Sequence, residues 1–440
     1  NVYGTLNILT TNFADRILGP ADPKTGARKP PTGPKADLTN LVAAFCITHD
    51  MPEGVLPQHL DDEIPPVDVE RITGLFDFFS TNASRLALAP TQPPALLTFI
   101  VKPDDIATLD DLNWALRTYQ GNRTVGKLYD SIVYDTANFK RGTPKKVESA
   151  PGGVTLQNIK KFGGVCHEQA LFASNVGRAI GVPTIYISGQ GSDISHAWVG
   201  YLKSVGGNRW SWDFTEGRHD EYDHVVGRVT DPQSGRVIPD SYIGLTAGMV
   251  DASDKVELST ALLDAAERFA AIEAAKVPYP PAAADAPADP AKAPAARPLG
   301  VASQLDLSEL GLRACPVNRH GWSMITDLAD RKALTAEQVK TWAERLIDLC
   351  GSDFPDFAFD TLRPMFFAID DPAQRDRLWE WAALRFQKRK DLVAASMLWR
   401  GDSWQLAGDP AKAWNFYNDV IERFPNDGSI VQLALMRGEK

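Results

Sequence analysis

Three residues of this chain have the types and the order that nucleophilic catalysis by a thiol requires. Cys166 follows Gly163 and Gly164 closely, at a point where a helix is predicted to begin. His196 and Asp213 come later, in two stretches with the character of strands. A cysteine, a histidine and an aspartate can act as the nucleophile, its general base and the group that orients the base. Their order therefore suggests acyl-transfer chemistry.

The stretch that begins at Cys166 has the periodicity of a helix. Small and apolar residues recur every three or four positions up to Ile180, and the run Gly181-Val182-Pro183 ends the pattern. Cys166 would lie in the first turn, where unpaired N–H groups and the helix dipole favour a thiolate. A glycine at 164 would let a substrate backbone approach the sulfur. A buried cysteine behind a glycine turn is the alternative interpretation.

His196 and Asp213 are predicted to lie on the two strands of an antiparallel hairpin. A turn centred between Ser204 and Val205 would place them directly opposite each other, since both pairs of numbers sum to 409. The turn signal, Gly206-Gly207-Asn208, lies slightly beyond that centre, so we expect a bulge or diagonal pairing. In either case the imidazole and the carboxylate should come within hydrogen-bonding range.

Two other carboxylates near the hairpin could orient the histidine. These are Glu216 and Asp220. Strand alternation favours Asp213, because it shares a face with Ser211 and Thr215.

Taken together, these motifs resemble the transglutaminase-like superfamily. The stretch 126–134 also resembles the helix that precedes the cysteine helix of that family, and the likeness covers roughly residues 124–214. It implies an α+β fold with a papain-like core, in which a cysteine helix packs on an antiparallel sheet. It also implies acyl transfer at amide carbonyls of a protein or peptide substrate. The matching motifs are Gly164-Val165-Cys166, Gly181-Val182-Pro183, His196-Ala197-Trp198, and Trp210 with Asp213 and Thr215.

The resemblance implies a role for each matching residue. Cys166 corresponds to the nucleophile, His196 to the base and Asp213 to its orienter. The Cys166 backbone N–H would stabilise the oxyanion, and Gln157 is a weaker candidate for the second donor. A thioester intermediate would be resolved by water or by an amine. Hydrolysis is favoured because no site for a second substrate is visible, and no cofactor is implied. Positions expected beside the substrate are Gly164 and Trp198.

Composition restricts the other functions that the chain could have. Its 440 residues carry a formal net charge of -10, so no global basic field favours nucleic acid. No apolar run is long enough to predict a membrane span. The four cysteines are scattered, which argues against a disulfide scaffold or a structural zinc site. Asn1 is followed by no recognisable targeting segment, which leaves both cytoplasmic and exported locations open.

Two histidine-containing clusters have ordinary interpretations. The stretch 219–224 is rich in histidine and acidic residues, but its spacing matches no strong ligand pattern. A solvated loop is favoured there, and no metal site is predicted. Cys46 lies close to His49, where a buried thiol beside a loop histidine is expected.

Composition and periodicity also predict the domain organisation. A mostly helical region is expected at 1–103, the catalytic domain at 104–250 and a helix at 251–276. An Ala/Pro-rich linker follows at 277–299, and a helical domain at 300–440. Within the N-terminal and catalytic regions, helices are expected at 67–79 and 110–139, and a buried helix or strand at 38–47.

The last region contains an internal repeat. The run Asp371-Pro372-Ala373 recurs as Asp409-Pro410-Ala411, an offset of 38 residues, and resembles a tetratricopeptide unit. Such a domain can bind a partner protein or a peptide, while its tryptophans are expected to be mostly core. A non-enzymatic interaction protein, using the central fold as a module and the C-terminal helices as a binding surface, is therefore the alternative function.

Overall fold

The computed structural model describes residues 2–29, 37–49, 68–140, 142–191, 195–206, 209–219, 225–275, 299–425 and 428–438. The chain is of the α+β class and divides into two compact units, Asn1–Val250 and Asp251–Lys440. The predicted linker at 277–299 lies outside the described residues except for its last position.

The first unit combines helices with one antiparallel sheet. The strand order in the sheet is β3-β2-β1-β4-β5. The strands are β1 (Thr184–Gln190), β2 (Ser195–Gly206), β3 (Arg209–Asp213), β4 (Arg228–Thr230) and β5 (Val237–Pro239). The helices are α1 (Val2–Leu18), α2 (Thr39–Thr48), α3 (Val69–Thr81), α4 (Pro94–Val101), α5 (Leu109–Tyr119), α6 (Lys127–Asp130), α7 (Leu156–Phe162), α8 (Cys166–Ala179) and α9 (Asp240–Asp251).

Helix α8 packs on one face of the sheet. Thr184 Oγ1 donates a hydrogen bond of 2.5 Å to the carbonyl of Ser174. A Cβ on Gly177 would lie 2.3 Å from Thr184 Cγ2, so the glycine permits this close approach. On the other face, Trp212 Nε1 donates to Thr246 Oγ1 of α9 at 3.2 Å. The sheet therefore has helices on both faces.

The N-terminal helices share a single hydrophobic core with α8 and the sheet. Phe45 of α2 makes an edge contact with Phe76 of α3, with ring centroids 5.3 Å apart. Helices α2 and α3 occupy the stretches predicted to form buried elements. The region before residue 103 thus belongs to the same compact unit as the residues that follow it.

The single helix predicted over 110–139 is wrong. The structure has α5, then α6, then a short 3-10 helix at Thr136–Phe139. Gly121, directly after the first of these, has φ of +83°, a conformation that ends a right-handed helix. Val133, expected on the buried face, is 76% exposed.

The second unit is helical in its described part. Helices α15 and α17 are each 14 residues long, and each has an Asp N-cap and a Pro in its first turn. They begin 38 residues apart, at the two positions of the repeat. The helices are α10 (Ser253–Ala275), α11 (Leu299–Ala314), α12 (Arg319–Asp330), α13 (Ala336–Cys350), α14 (Pro355–Phe367), α15 (Pro372–Arg385), α16 (Lys390–Leu406), α17 (Pro410–Arg423) and α18 (Gly428–Gly438).

The tryptophans of the repeat region are distributed between core and surface. Trp379 and Trp399 are buried, with ring centroids 4.7 Å apart. Trp381 and Trp404 are half-buried, whereas Trp414 is 44% exposed. The expectation that most of these tryptophans belong to the core therefore fits Trp379 and Trp399 but not Trp414.

Candidate functional site

Cys166 is the first residue of α8, as predicted, and is the one half-exposed cysteine of the four. The N-cap residue, Val165, has an apolar side chain that accepts no hydrogen bond from the first turn. The backbone N–H groups at the start of this 14-residue helix are therefore available to stabilise negative charge beside the sulfur.

The two glycines before Cys166 have structural roles. Gly163 has φ of +79°, and a Cβ there would lie 2.3 Å from the carbonyl oxygen of Val133. Gly164 donates its N–H to that same carbonyl at 3.0 Å and accepts from the Asp135 N–H at 2.8 Å. Gly164 is buried and its backbone is already paired, so this geometry offers no support for its predicted contact with substrate.

A buried ion pair fixes the start of α8. Glu168 Oε2 accepts from the Val165 N–H at 2.9 Å, while Oε1 lies 2.5 Å from Lys145 Nζ. The Glu168 side chain is 2% exposed and that of Lys145 is 19% exposed. A carboxylate this deeply buried needs both partners to remain charged. The pair therefore holds the residues on either side of Cys166 in place.

Three tyrosines interact electrostatically with Cys166, which the sequence analysis did not predict. Burial raises the pKa of Tyr129, Tyr134 and Tyr186, and the negative charge that Cys166 can carry raises each of them further. The pKa of Tyr186 reaches about 12. Its hydroxyl lies 2.9 Å from His167 Nδ1. All three hydroxyls are thus protonated at neutral pH and can act as donors.

His196 lies at the start of β2, where strand structure was predicted. The residue is 7% exposed, and its Nε2 lies 2.7 Å from the carbonyl oxygen of Gly217. A carbonyl only accepts, so Nε2 carries a proton and the lone pair of the neutral ring is on Nδ1. The ring stacks on that of His219, with centroids 4.6 Å apart.

The predicted pairing of His196 with Asp213 is wrong. Asp213 lies opposite Tyr201, and His196 lies opposite Gly189 on the other neighbouring strand. The register pairs Ser204 with Trp210 and Gly206 with Arg209, with a bulge between Ser204 and Gly206. The turn signal Gly206-Gly207-Asn208 therefore predicted this register better than a turn centred between Ser204 and Val205 did.

Asp213 has its own hydrogen-bond partners. Its carboxylate accepts from Lys203 Nζ at 2.8 Å, and from the Thr215 hydroxyl and N–H at 2.6 and 3.0 Å. Burial raises the pKa of this carboxyl, but these hydrogen bonds outweigh it and leave the pKa below its usual value. Asp213 is thus an anion that closes the end of β3.

Strand alternation separates the imidazole from the face on which α8 packs. Ala197 lies opposite Ser188, on the face of Tyr186 and Thr184 that meets α8. His196 lies on the opposite face, where its ring stacks on Trp198 with centroids 6.0 Å apart. Within the described residues, no hydrogen bond joins the Cys166 thiol to the His196 ring.

Cys166 and His196 nevertheless lie at the same end of the sheet. Tyr129, whose pKa responds to charge on Cys166, donates its hydroxyl to the Ala197 carbonyl at 3.0 Å. A Cβ on Gly217, the residue bonded to His196, would lie 2.8 Å from the Tyr129 ring. Tyr129 therefore contacts the backbone on both sides of the imidazole and is close to the sulfur.

The remaining candidates lie elsewhere. Trp198 is fully buried, with the Arg218 guanidinium 5.2 Å from its ring centroid, so this geometry offers no support for its predicted contact with substrate. Gln157 is exposed in the first turn of α7, and its backbone N–H donates to Asp111 Oδ1 at 3.4 Å. That position is at the opposite end of α7 from Gly163 and offers no support for an oxyanion role.

The alternative carboxylates have different outcomes. Burial raises the pKa of Glu216, whose backbone carbonyl accepts from the Val199 N–H at 3.3 Å. Asp220 lies outside the described residues, as does most of the acidic run at 219–224.

Across the described ranges, no group of three or more histidine, cysteine or acidic side chains could hold a metal ion. No helix there is long and apolar enough to cross a membrane.

No family model, curated protein or solved structure matches this chain.

Proposed function

We propose that the first unit is a thiol-dependent acyl-transfer enzyme of transglutaminase-like type, with Cys166 as its nucleophile. The observation that carries the proposal is the setting of this thiol. It is half-exposed at the start of a 14-residue helix, whereas the other three cysteines are buried. Helix N-termini lower the pKa of thiols, and nucleophilic cysteines need such a polar, accessible environment.

The order of the elements supports the transglutaminase-like part of the proposal. A helix that begins at the cysteine precedes two adjacent antiparallel strands that carry His196 and Asp213. This is the arrangement that the sequence resemblance implies. The likeness concerns the order and pairing of elements, whereas the predicted contact between His196 and Asp213 is replaced by the bond from His196 to Gly217.

The proposed reaction begins with transfer of the Cys166 thiol proton to Nδ1 of His196. The thiolate attacks an amide carbonyl, and the Cys166 backbone N–H stabilises the oxyanion. His196 returns the proton to the leaving amine, which yields a thioester. Water or a second amine then attacks the thioester and restores the thiol. The step requires Nδ1 of His196 to come within hydrogen-bonding distance of the sulfur when substrate binds, while Nε2 keeps its bond to the Gly217 carbonyl.

The carbonyl of Gly217 takes the orienting role in this scheme. Its bond to Nε2 places the lone pair on Nδ1, as an orienting carboxylate would. A neutral carbonyl stabilises an imidazolium less than a carboxylate does. We therefore expect a weaker base than in a complete triad.

A second candidate is a non-enzymatic binding module. The position of His196 on the sheet face opposite α8 favours it, since the base and the nucleophile are not in contact. In that case Cys166 would be a surface thiol with no assisted reactivity. The two candidates differ in what the loss of the imidazole does to the sulfur.

The rate of thiol alkylation distinguishes these candidates. Brief treatment with iodoacetamide at pH 7, followed by peptide mass spectrometry, should label Cys166 at least about tenfold faster than the buried cysteines. His196→Ala should slow the labelling of Cys166 several-fold. His167→Ala is the matched control, because it removes the imidazole next in sequence and should leave the rate nearly unchanged.

Equal labelling of Cys166 in the wild type and in His196→Ala would reject the enzyme and favour the binding module. Circular dichroism of both variants would establish that they are folded. If the labelling rate falls only in His167→Ala, the base is His167, and its assignment to His196 in the scheme above is wrong.

A further inference from the structure

The second unit contains a cavity of about 660 Å³ among four of its helices. Phe367 of α14 and Leu406 of α16 form apolar walls, and Tyr417 of α17 lies between them and the polar side. Leu406 is 70% exposed, so the cavity opens to solvent on that side. The volume falls within the range of about 300–1,000 Å³ typical of sites for small organic ligands.

The charged groups of the cavity are only partly paired. Asp402 Oδ1 accepts from the Tyr417 hydroxyl at 2.9 Å and forms an ion pair with Arg437, whose Nε lies 3.1 Å away. The Nη1 atom of Arg437 is buried and has no hydrogen-bond partner within the described chain. A buried guanidinium N–H without an acceptor is costly, because the group has lost its hydration. An acceptor supplied by a ligand would remove that cost.

A second guanidinium lines the same cavity. Arg363 lies over the ring of Trp399, with its guanidinium 5.3 Å from the ring centroid. Among the described residues, no carboxylate forms an ion pair with it within 4.0 Å. The charged side chains that line the cavity are therefore two cations, Arg363 and Arg437, and one anion, Asp402. Their sum is one positive charge, which a single negative charge would balance.

We propose that this cavity binds a small organic monocarboxylate whose apolar part lies against Phe367 and Leu406. The ligand carboxylate would accept from Arg437 Nη1 and meet the Arg363 guanidinium, a geometry that planar guanidinium groups favour. A singly charged group fits better than a phosphate dianion, because Asp402 would repel the second charge. The site is distinct from the thiol chemistry proposed for the first unit.

The test is calorimetric titration of the full chain with 4-phenylbutyrate, using 4-phenylbutanol and 4-phenylbutyl phosphate as matched probes. The carboxylate should bind at least about tenfold more tightly than the alcohol, since the alcohol leaves the guanidinium unpaired. It should also bind more tightly than the phosphate. Equal affinity for acid and alcohol, or no binding of the acid, would overturn the proposal.

Three variants locate the binding. Arg437→Met keeps an unbranched apolar stem but removes the guanidinium, and it should weaken the acid at least about tenfold while leaving the alcohol unchanged. Leu406→Trp, at an exposed position, should fill the entrance and weaken both probes. Arg377→Met, an exposed arginine of α15 outside the cavity, should bind the acid as the wild type does. Unaltered binding in both Arg437→Met and Leu406→Trp would place the ligand elsewhere and reject the site.

Discussion

Asp213 and His196 show how one register decides the chemistry of two side chains. The residue types suggested an interacting pair, whereas the register gives Asp213 to Lys203 and Thr215, and His196 to Gly217. Each polar group has a nearby partner, so neither depends on the other for its hydrogen bonds. At this scale the account predicts that the carboxylate and the imidazole act independently.

The variant Asp213→Ala tests that independence. We expect it to lower the free energy of unfolding by about 1 kcal/mol through loss of the hydrogen bonds at the end of β3. The alkylation rate of Cys166 should stay within about twofold of the wild type. Lys203→Met is the control for loss of the ion pair alone. A loss of Cys166 reactivity as large as that in His196→Ala would restore Asp213 as the orienting group.

The sequence allowed the position of Cys166 to be predicted but not its neighbours. A helix start is encoded locally, by periodicity and by the glycines before it. The electrostatic influence of Cys166 on Tyr129 and Tyr186 joins residues far apart in the chain, and no local pattern specifies it. The pairing of His196 depended on the position of the hairpin turn, which fixes the register of β2 against β3 and with it the residue opposite each position.

At the scale of elements, the tight connection between α7 and α8 sets the position of the thiol. Gly163→Ala should destabilise the first unit, because the left-handed backbone is unfavourable and the new Cβ would lie 2.3 Å from the Val133 carbonyl oxygen. A backbone oxygen cannot move aside easily. We expect a loss of about 2–4 kcal/mol, measured from hydrogen exchange in α7 and α8.

Gly153→Ala is the matched control for this change. Its φ of +71° is similar to that of Gly163, but a Cβ there would have no neighbour within 4 Å. It should therefore show only the backbone cost of about 1–2 kcal/mol. Equal losses in the two variants would show that the close contact with Val133 does not constrain the loop.

Elements with strong local signals were predicted well. Helices α8 and α3 lie where periodicity placed them. The prediction of one helix over 110–139 was wrong because apolar residues at helical spacing also occur in short helices and turns that pack against the core one after another. Gly121 is the local signal that could have divided it.

At the scale of the whole molecule, the two units require separate accounts of stability. His49 is half-buried at the end of α2 in the first unit, and it stacks on Phe45 with ring centroids 5.3 Å apart. Its Nε2 lies 3.2 Å from the Val101 carbonyl oxygen. Burial is the main cause that lowers the pKa of His49 to about 4, against a usual value of 6.5.

The lowered pKa predicts a dependence of stability on pH. Between pH 6.5 and about 4 the unfolded chain binds a proton at His49 and the folded chain does not. This contribution to stability is therefore present above pH 6.5 and is lost as the pH falls towards 4. The full effect is about 3 kcal/mol.

Hydrogen exchange in α2, measured from pH 7 to pH 4, would detect this loss. His49→Phe should give a flatter dependence in this window, since the titrating group is gone and the stacking surface remains. The exchange of α17, in the other unit, serves as an internal reference. A wild type and a variant with the same slope would show that His49 does not control the acid stability of the unit.

Composition predicted a division of the chain but could not define the contents of each unit. The Ala/Pro-rich stretch cannot form a core, so its composition placed a boundary at 277–299, whereas the structure divides the chain between Val250 and Asp251. The structure assigns α10, on the N-terminal side of that stretch, to the second unit. It also joins the first hundred residues to the core of α8, because their apolar faces are complementary in space, which sequence spacing does not reveal.

The most direct test of the account is the detection of an acyl group on Cys166. The full chain would be incubated with 4-nitrophenyl acetate, quenched in acid and digested, and the peptide that contains Cys166 analysed by mass spectrometry. The thiolate displaces 4-nitrophenolate, so the account predicts an acetyl thioester on Cys166 that forms several-fold more slowly in His196→Ala. The absence of acetylation at Cys166, or its formation at equal rates in the two proteins, would contradict the proposed enzyme.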